Sequence, residues 1–333
     1  MKKGLKGLIL LLITVIFLYL IFVNINFSEL KNAFKTFRYE YICLLIVSIT
    51  VSLSFRALCF KQLIYKTAPD AKLADLIPLC LTGAGLNILL PARAGDIFRA
   101  YYTGKKYGAD KIKIFGSVMM ERLFDVVIIF CLLILGVFIY HKNPIAEKLC
   151  LFAGLVLVFG IIFAVSVYRF KNINKVCEFI NAKTNNWPFS SYIAKSLYFL
   201  NNTCSSFFNG FEIIDSPRKV FFAVTSSVGI WVFECMNYFI VIQGFGYDVH
   251  WSVSLFVIAF ISLACMVPST SIFIGPYQVA VIAAFAIYDV SKESALAISV
   301  LEQSIVTIFL MFIAFIFLMK NNISIKKLRE KME

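Results

Sequence analysis

The sequence predicts an all-α, polytopic membrane protein with seven to eight spans and with broken or re-entrant helices near 76–99 and 267–288. Composition and the spacing of apolar runs support this fold class. Of the 333 residues, 60% are apolar and only 15% are charged, whereas a soluble domain carries about 25% charged residues. Uncharged runs recur along the whole chain, at lengths near the roughly 20 residues that a transmembrane helix needs.

Seven segments are apolar and long enough to be predicted as spans without interruption. They are 5–23, 41–60, 116–140, 149–168, 220–243, 251–267 and 294–319. The first follows a short basic start but lacks a small-x-small cleavage site. We therefore interpret it as an uncleaved span and not as a signal peptide.

Two more segments are apolar but contain helix-breaking residues. Residues 76–99 contain Gly-Ala-Gly at 83–85 and Pro-Ala-Arg-Ala-Gly at 91–95, and residues 267–288 contain Gly-Pro at 275–276. Irregular backbone at membrane depth is tolerated only where protein or a water-filled cavity satisfies its polar groups. The sequence therefore predicts a polar cavity beside these breaks.

The basic residues predict the orientation in the membrane. If the N-terminus is inside, the predicted inner segments hold 24 of the 32 lysines and arginines and the outer loops hold 6, as the positive-inside rule requires. We expect a multi-pass protein of the cell membrane with both termini in the cytoplasm, which requires 267–288 to cross. The net charge of +13 has the same topological origin, so no nucleic-acid partner is predicted.

We expect a single integral membrane domain over 1–333, with one sizeable cytoplasmic insertion at 169–219. Apolar residues at helical spacing between 193 and 211 predict an amphipathic helix, which lies on the membrane surface or packs on the spans. The tripeptide Asp-Ser-Pro at 215–217 predicts a helix start, because proline is favoured in the first turn.

The composition offers little material for a metal or cofactor site. The nine cysteines lie mostly within apolar runs without a Cys-x-x-Cys pair, and the two histidines are isolated from each other. Small apolar cysteines are typical of cores. We therefore predict no metal and no cofactor.

The candidate binding residues surround the first break. Charged side chains in apolar segments are costly and usually mark a substrate path, and arginine presents a planar fork that matches phosphate oxygens. We predict that the half-helix end and the arginines bind an anionic head group, while the acids hold the arginines or receive a cationic group. The candidates are Asn87, Pro91, Arg93, Gly95, Asp96, Arg99, Glu121, Arg122 and Asp125.

The pairing of these charges stays open at the level of sequence. Each arginine taken alone could instead extend along its aliphatic stem to the membrane interface. Glu121 and Asp125 lie four residues apart on one helical face, and they need a counter-cation, for which Arg93 or Arg99 is the natural candidate. Arg56, in another predicted span, pairs either with a glutamate of the fifth span or with this site.

A second constellation repeats this plan in the later half of the chain. Gly275 belongs to the second break, and Glu302 lies 27 residues later, as Glu121 lies 26 residues after Gly95. Many transporters consist of two repeats with the binding site at their interface. We therefore add Gly275 and Glu302 to the candidate binding residues.

These motifs resemble the flippase-like membrane region of the lysylphosphatidylglycerol synthase family over nearly the whole chain. The resemblance rests on Asn87-x-x-x-Pro91-x-Arg93-x-Gly95-Asp96-x-x-Arg99, on Glu121-Arg122-Leu-x-Asp125, and on Pro268 through Gly275 with the late Glu302. At 276–278 the chain has Pro-Tyr-Gln, where the family usually has a glycine-rich turn with a glutamate.

The resemblance implies movement of a phosphate-bearing lipid between leaflets, either a phospholipid that can be aminoacylated or a polyprenyl lipid. Full-length members also carry a cytoplasmic aminoacyltransferase domain, which we do not expect here because the chain stops 14 residues after Met319. Two alternatives stay open. One is an enzyme, a phosphatidylglycerol lysyltransferase or a lipid-linked sugar transferase, and the other is a membrane subunit that recruits a separate lipid synthase through 169–219.

Overall fold

The computed structural model of the chain describes residues 25–90, 93–139, 206–207, 209–265 and 274–323, together with Tyr19, Ile21 and Gly154. Within these residues the fold is all-helical, which confirms the predicted fold class. The helices are α1 Phe27–Thr36, α2 Tyr41–Leu63, α3 Leu73–Leu89, α4 Ala94–Tyr107, α5 Lys111–Ile139, α6 Pro217–Gly244, α7 Val253–Ala264, α8 Pro276–Ala286 and α9 Lys292–Lys320, with a 3-10 helix at Glu212–Asp215.

Four of these helices, α2, α5, α6 and α9, are long and apolar enough to cross a membrane. They expose large apolar side chains such as Phe138, Phe221 and Phe312, as expected of surfaces that face lipid. α6 begins at Pro217 with Ser216 as its N-cap residue, as the sequence predicts. The predicted spans at 5–23 and 149–168 lie outside the described residues.

The helix predicted over 251–267 is shorter in the structure. α7 has 12 residues and α8 has 11. At a rise of 1.5 Å per residue they extend about 18 and 17 Å, whereas the hydrocarbon core is about 30 Å thick. α7 and α8 therefore form a broken pair, like α3 and α4 earlier in the chain.

The first break is also smaller than predicted, because α3 runs without interruption through Gly83 and Gly85. Both glycines allow close packing of helices. A methyl group on Gly83 would lie 2.7 Å from the Arg99 side chain, and one on Gly85 would lie 2.6 Å from the backbone oxygen of Leu310. Small residues are typical of such close approaches between membrane helices.

The described helices α2–α9 form two halves with the same order of helices and with corresponding contacts. In α2–α5 and in α6–α9, a long helix is followed by a broken pair and then by a second long helix, and α5 and α9 both have 29 residues. The contacts are reciprocal, because α3 packs against α9 while α7 packs against α5. The repeat indicated by the glycine–glutamate spacing thus extends to the tertiary structure.

The two halves run in opposite directions. Arg38, before α2, donates its backbone N–H to the carbonyl of Gly244 at the end of α6, at 2.8 Å. Lys66, after α2, pairs with Asp215, before α6, at 3.1 Å. α2 and α6 are therefore antiparallel, and the halves form an inverted repeat of the kind common in transporters.

The two ends of the bundle differ in charge. We call the end where α2 finishes and α5 begins the basic end, and the other the acidic end. In the described segments the basic end carries ten lysines and arginines, namely Lys61, Lys66, Lys72, Lys105, Lys106, Lys111, Lys113, Arg218, Lys219 and Lys320. The acidic end carries four, Lys31, Lys35, Arg38 and Lys292, against five acids, Glu29, Glu40, Asp248, Asp289 and Glu293.

Only the last part of the insertion at 169–219 belongs to the described residues. There Ser117 of α5 donates a hydrogen bond to the carbonyl of Gly210 at 3.0 Å, and a methyl group on Gly116 would lie 2.0 Å from the carbonyl oxygen of Phe207. This described end therefore packs on α5, and the rest of the amphipathic helix predicted between 193 and 211 lies outside the described residues.

Candidate functional site

Six charged side chains from three helices meet inside the bundle. They are Arg56 from α2, Asp96 and Arg99 from α4, and Glu121, Arg122 and Asp125 from α5. Three guanidinium groups and three carboxylates have formal charges that cancel. We call this group the charged cluster, and because it is neutral it can persist at membrane depth, where an unpaired charge is costly.

Glu121 is the centre of the charged cluster and its side chain is fully buried. Arg99 donates from Nη1 to Oε1 at 3.1 Å and from Nη2 to Oε2 at 2.8 Å, which is the two-pronged geometry that suits arginine. Arg56 donates to Oε1 at 2.7 Å. The guanidinium of Arg99 also lies 4.5 Å from the ring of Phe60, a cation–π contact.

Asp125 receives hydrogen bonds from three different helices. Arg56 and Arg122 donate to Oδ2 at 3.0 and 2.8 Å, and Trp231 of α6 donates from Nε1 to Oδ1 at 2.9 Å. Charge-assisted bonds of this kind are stronger than neutral ones. Asp125 thus joins α2 and α6 to α5.

Asp96 connects the two sides of the first break. Arg122 donates to its two oxygens at 3.2 and 2.9 Å. Asn87, near the end of α3, donates to Asp96 Oδ1 at 3.2 Å and accepts the backbone N–H of Asp96 at 3.2 Å. Asn87 therefore accepts a hydrogen bond from a backbone N–H next to the break. Irregular backbone inside a membrane requires such partners for its polar groups.

A glycine contact sets the distance between α3 and α4. A methyl group on Gly95 would lie 1.8 Å from the carbonyl oxygen of Gly83 and 2.8 Å from Oδ1 of Asn87. No side chain fits at Gly95, and this close approach brings Asp96 within reach of Asn87.

Arg93 differs from the three arginines of the charged cluster in its backbone conformation and in its lack of an ion pair. It precedes α4 in the left-handed conformation, with φ of 53°, which is uncommon for a residue with a side chain and often found at functional sites. Arg93 lines a cavity, and within the described part of the chain its guanidinium has no hydrogen-bond or ion-pair partner.

The cavity beside the charged cluster has a volume of about 700 Å³. Its wall contains the charged side chains Arg56, Arg93, Arg122, Asp125, Glu234 and Glu302. The rest is largely apolar and includes Ile129, Phe130, Leu133, Ile258, Ile261, Leu263 and Val306. We call it the main cavity, and these two kinds of side chain suit a ligand with a charged and an apolar part.

The second break supplies a separate polar group at the main cavity. Gly275 has φ of 103° and is the N-cap residue of α8, so the position favours glycine. Tyr277 donates a hydrogen bond to Glu302 Oε2 and shares another with the hydroxyl of Tyr238, which lies 3.4 Å from the same carboxylate oxygen.

A smaller cavity of about 240 Å³ also borders the charged cluster and shares Arg56 and Arg122 with the main cavity. Glu234 lines both cavities and accepts hydrogen bonds from Ser52 at 2.7 Å and Asn237 at 3.4 Å. In the segments that the structure describes, no three His, Cys, Asp or Glu side chains are grouped as metal ligands.

The structure brings most of the predicted residues together. Some of them are buried in ion pairs, whereas others face the main cavity. Arg99 is 1% exposed and bound to Glu121, so it is the counter-cation that the acids need, whereas Arg93 is not. Arg122, with 23% of its side chain exposed, reaches the main cavity. Arg56 pairs with this site, which answers the question that the sequence left open. Pro91 lies outside the described residues.

Several polar side chains around the cavities do not stand out in the sequence. Trp231 and Tyr238 project from α6, and Ser52 from α2. Glu234, the glutamate of the fifth predicted span, was expected from the sequence, but its partner Ser52 was not. A buried Trp or Tyr usually has a partner for its polar atom, so such residues in an apolar span carry a weak signal. That signal does not say which partner they meet.

Comparisons with known proteins agree with the motifs. The chain is 24% identical over 310 residues to a UPF0104 membrane protein of Methanocaldococcus jannaschii, with 90% of each chain covered. It is 22% identical over 315 residues to a UPF0104 membrane protein of Methanothermobacter thermautotrophicus, with 90% of this chain and 91% of that one covered. No solved structure gives a significant match.

The family match covers almost the whole chain, including both breaks and both halves of the repeat. It extends over residues 7–314 and is to the lysylphosphatidylglycerol synthase TM region. The chain therefore belongs to the family of the lysylphosphatidylglycerol synthase transmembrane region.

Proposed function

We propose that this protein is a lipid translocase, which moves a phosphate-bearing phospholipid or polyprenyl lipid between the two leaflets. The observation that carries the proposal is the position of Arg93. It is a cation with no hydrogen-bond or ion-pair partner in the described structure, and it lines a cavity of about 700 Å³ whose wall contains both charged and apolar side chains. In this proposal the lipid head contacts the charged side chains, while the acyl or polyprenyl chains extend along the apolar ones.

The side chains have distinct roles in this proposal. Arg93 and the exposed edge of Arg122 contact the phosphate, since a guanidinium matches its oxygens. The N-terminal end of α4, which begins next to Arg93, adds the positive end of a helix dipole. The remaining members of the charged cluster and Asn87 position Arg122 and α4, and do not contact the lipid.

The inverted repeat supports movement across the membrane. In transporters built from inverted repeats, the site lies at the interface of the halves, and one half rocks against the other to expose it to each side in turn. Here the wall of the main cavity includes Arg93 and Asp125 from the first half and Tyr277 and Glu302 from the second.

The charges at the two ends favour one orientation. With ten lysines and arginines at the basic end and four at the acidic end of the described segments, the positive-inside rule places the basic end in the cytoplasm. α9 finishes at the basic end, where Tyr102 donates to Asn321 at 2.7 Å. We therefore propose that the protein lies in the cell membrane with its C-terminus in the cytoplasm. The N-terminus is predicted to lie on the same side.

In this orientation, residues 267–288 no longer have to cross the membrane. If all seven uninterrupted segments cross the membrane, a cytoplasmic tail requires 267–288 to cross it as well. If α7 and α8 instead enter from the acidic end and return to it, α9 still carries the chain to the basic end. The tail then reaches the cytoplasm without a crossing at 267–288.

Reconstituted vesicles test the translocase directly. Phosphatidylcholine vesicles contain a small fraction of head-labelled fluorescent phosphatidylglycerol, and dithionite added outside bleaches the label that reaches the outer leaflet. We expect the wild type to expose inner label and Arg93→Ala and Arg122→Ala to expose it at least about tenfold more slowly, a loss of about 1.4 kcal/mol. Arg38→Ala, which removes a cation at the acidic end, is the matched control.

Unchanged movement in both arginine variants would remove this mechanism. The rival enzyme function gives a different result in a separate assay, in which the purified protein is incubated with charged lysyl-tRNA and phosphatidylglycerol. Formation of lysylphosphatidylglycerol there would replace the translocase by a transferase. A recruiting subunit would show no lipid movement in pure vesicles.

A further inference from the structure

Glu121 and Glu302 occupy equivalent positions in the two halves of the repeat. Each is the eleventh residue of a 29-residue helix, Glu121 in α5 and Glu302 in α9. Both side chains are buried, with exposures of 0% and 5%. The inverted repeat therefore places one carboxyl group at the same point in each half.

The partners of the two carboxyl groups differ in charge. Glu121 accepts hydrogen bonds from the guanidinium groups of Arg56 and Arg99. Glu302 has the hydroxyl groups of Tyr277 and Tyr238 as partners. Within the described residues, no lysine or arginine lies at ion-pair distance from Glu302. The partners of Glu302 are therefore neutral hydroxyl groups, whereas those of Glu121 are cations.

This difference decides which glutamate can change its charge. A carboxylate between two guanidinium groups stays ionised, because nearby cations favour the charged form. A buried carboxyl with only neutral partners has no such compensation, and its surroundings favour the protonated form. Glu302 can therefore alternate between two protonation states, whereas Glu121 is fixed in one.

Glu302 also lines the main cavity, which contains other charged groups. The titratable groups around that cavity are Arg56 from α2, Arg93 before α4, Arg122 and Asp125 from α5, Glu234 and Tyr238 from α6, Cys265 after α7 and Tyr277 from α8. Arg56, Arg122 and Asp125 compensate one another within the charged cluster. Arg93, Glu234 and Glu302 are the charges of this wall that lack an ion-pair partner in the described segments.

We propose that Glu302 is a proton-binding site that couples lipid movement to a proton gradient, an inference that rests on the translocase function proposed above. Water on one side of the membrane supplies a proton, which forms the O–H bond of the Glu302 carboxyl. The halves then reorient with this carboxyl neutral. The O–H bond breaks when the main cavity opens to the other side, where water takes the proton.

A pH gradient across vesicles tests this coupling. Phosphatidylcholine vesicles with head-labelled fluorescent phosphatidylglycerol are prepared with inner and outer buffers one pH unit apart and with the membrane potential clamped. Dithionite then reports the share of label in each leaflet at steady state. With one proton per lipid, the gradient supports a ratio between leaflets of up to about tenfold, in one direction for symport and in the other for antiport.

Two variants of α9 locate the proton site. Glu302→Gln keeps the shape of the side chain but cannot change its charge, and we expect it to distribute the label equally with or without the gradient. Glu293→Gln removes the same charge nine residues earlier, in the first turn of the helix. We expect this control to retain the wild-type ratio.

The outcomes separate this proposal from the translocase itself. Label that exchanges in the wild type but stays equally distributed under the gradient overturns the coupling and leaves the translocase intact. Label that does not exchange at all overturns both. A gradient-driven ratio that survives in Glu302→Gln places the proton elsewhere and overturns the role of Glu302.

Infrared spectroscopy gives a second readout that does not depend on transport. A protonated carboxyl absorbs in a carbonyl region separate from carboxylate and amide bands. We expect the wild-type protein in lipid to show a component of this band that persists above about pH 5, where exposed carboxyls are ionised, and that disappears as the pH rises further. The difference spectrum between the wild type and Glu302→Gln isolates this component. A titrating band that is the same in both proteins would contradict the proposal.

Discussion

Arg99 and Glu121 form a two-pronged ion pair between α4 and α5, with contacts of 2.8 and 3.1 Å. Both side chains are almost fully buried, at 1% and 0% exposure. Breaking a buried pair is costly because one charge is left without compensation. This pair therefore fixes α4, which carries Arg93 at its start, to a helix that spans the bundle.

Removal of Glu121 should destabilise the fold strongly. Glu121→Ala leaves Arg56 and Arg99 buried with fewer acidic partners, and we expect a loss of about 3–5 kcal/mol in the free energy of unfolding. Chemical denaturation in detergent measures it. Glu40→Ala is the control, since Glu40 pairs with Arg38 where both side chains are more than half exposed, and such pairs contribute about 0–1 kcal/mol. Equal losses would contradict the buried network.

The contact between α3 and α4 should not tolerate a side chain. Gly95→Ala places a methyl group 1.8 Å from the carbonyl oxygen of Gly83, so one helix must shift. We expect a loss of about 1–3 kcal/mol or more from overpacking, together with slower lipid movement as Asp96 moves away from Asn87. Ile97→Ala, on the same helix at a position 38% exposed, is the comparison. Wild-type stability of Gly95→Ala would refute the close approach.

Arg93 should matter for the ligand and not for the fold. Its side chain has no partner in the described segments, so Arg93→Ala is expected to change the free energy of unfolding by no more than about 0.5 kcal/mol. Arg99→Ala, in contrast, leaves Glu121 with one guanidinium less and should destabilise the protein. If heat denaturation in detergent shows a large loss for Arg93→Ala, the arginine is a structural residue.

A polar contact at the basic end should make stability depend on pH. The ammonium of Lys106, at 2.7 Å from Asp75, and the hydroxyl of Tyr107 lower the pKa of the Asp75 carboxyl. A lowered pKa in the fold stabilises it at neutral pH, and this contribution is lost as the pH falls below about 4. We expect no more than about 1 kcal/mol, because the pair is partly exposed.

The comparison of wild type with Asp75→Asn isolates this effect. The two proteins should differ in heat-denaturation midpoint at pH 7 and converge as the medium is acidified. A difference that is constant over this range would show that the Asp75 contact does not depend on its charge.

Long apolar runs made the spanning helices predictable. α2, α5, α6 and α9 begin and end within a few residues of the predicted spans, because lipid requires about 20 apolar residues in each. The lengths of α7 and α8 were not predictable in this way. Hydropathy stays high past Ala264, where α7 ends, and apolar residues do not mark the end of a helix.

The members of the charged cluster were predictable, but their pairs were not. Arg99, Glu121 and Asp125 stand out because charges are rare in apolar segments. Which arginine meets which acid depends on distances between helices, and contacts such as that between Gly83 and Gly95 set those distances. Arg56 is 65 residues from Glu121 in the chain, and sequence spacing carries no information about such a contact.

Mass spectrometry of lipid retained by the purified protein tests the binding of a lipid head in the main cavity most directly. The wild type is compared with Arg93→Ala and with Ser262→Trp, which places a bulky side chain on the cavity wall. We expect the wild type to retain a phosphate-bearing lipid that both variants lose while they remain folded. Equal retention of the same lipids by all three proteins would contradict a lipid site in this cavity.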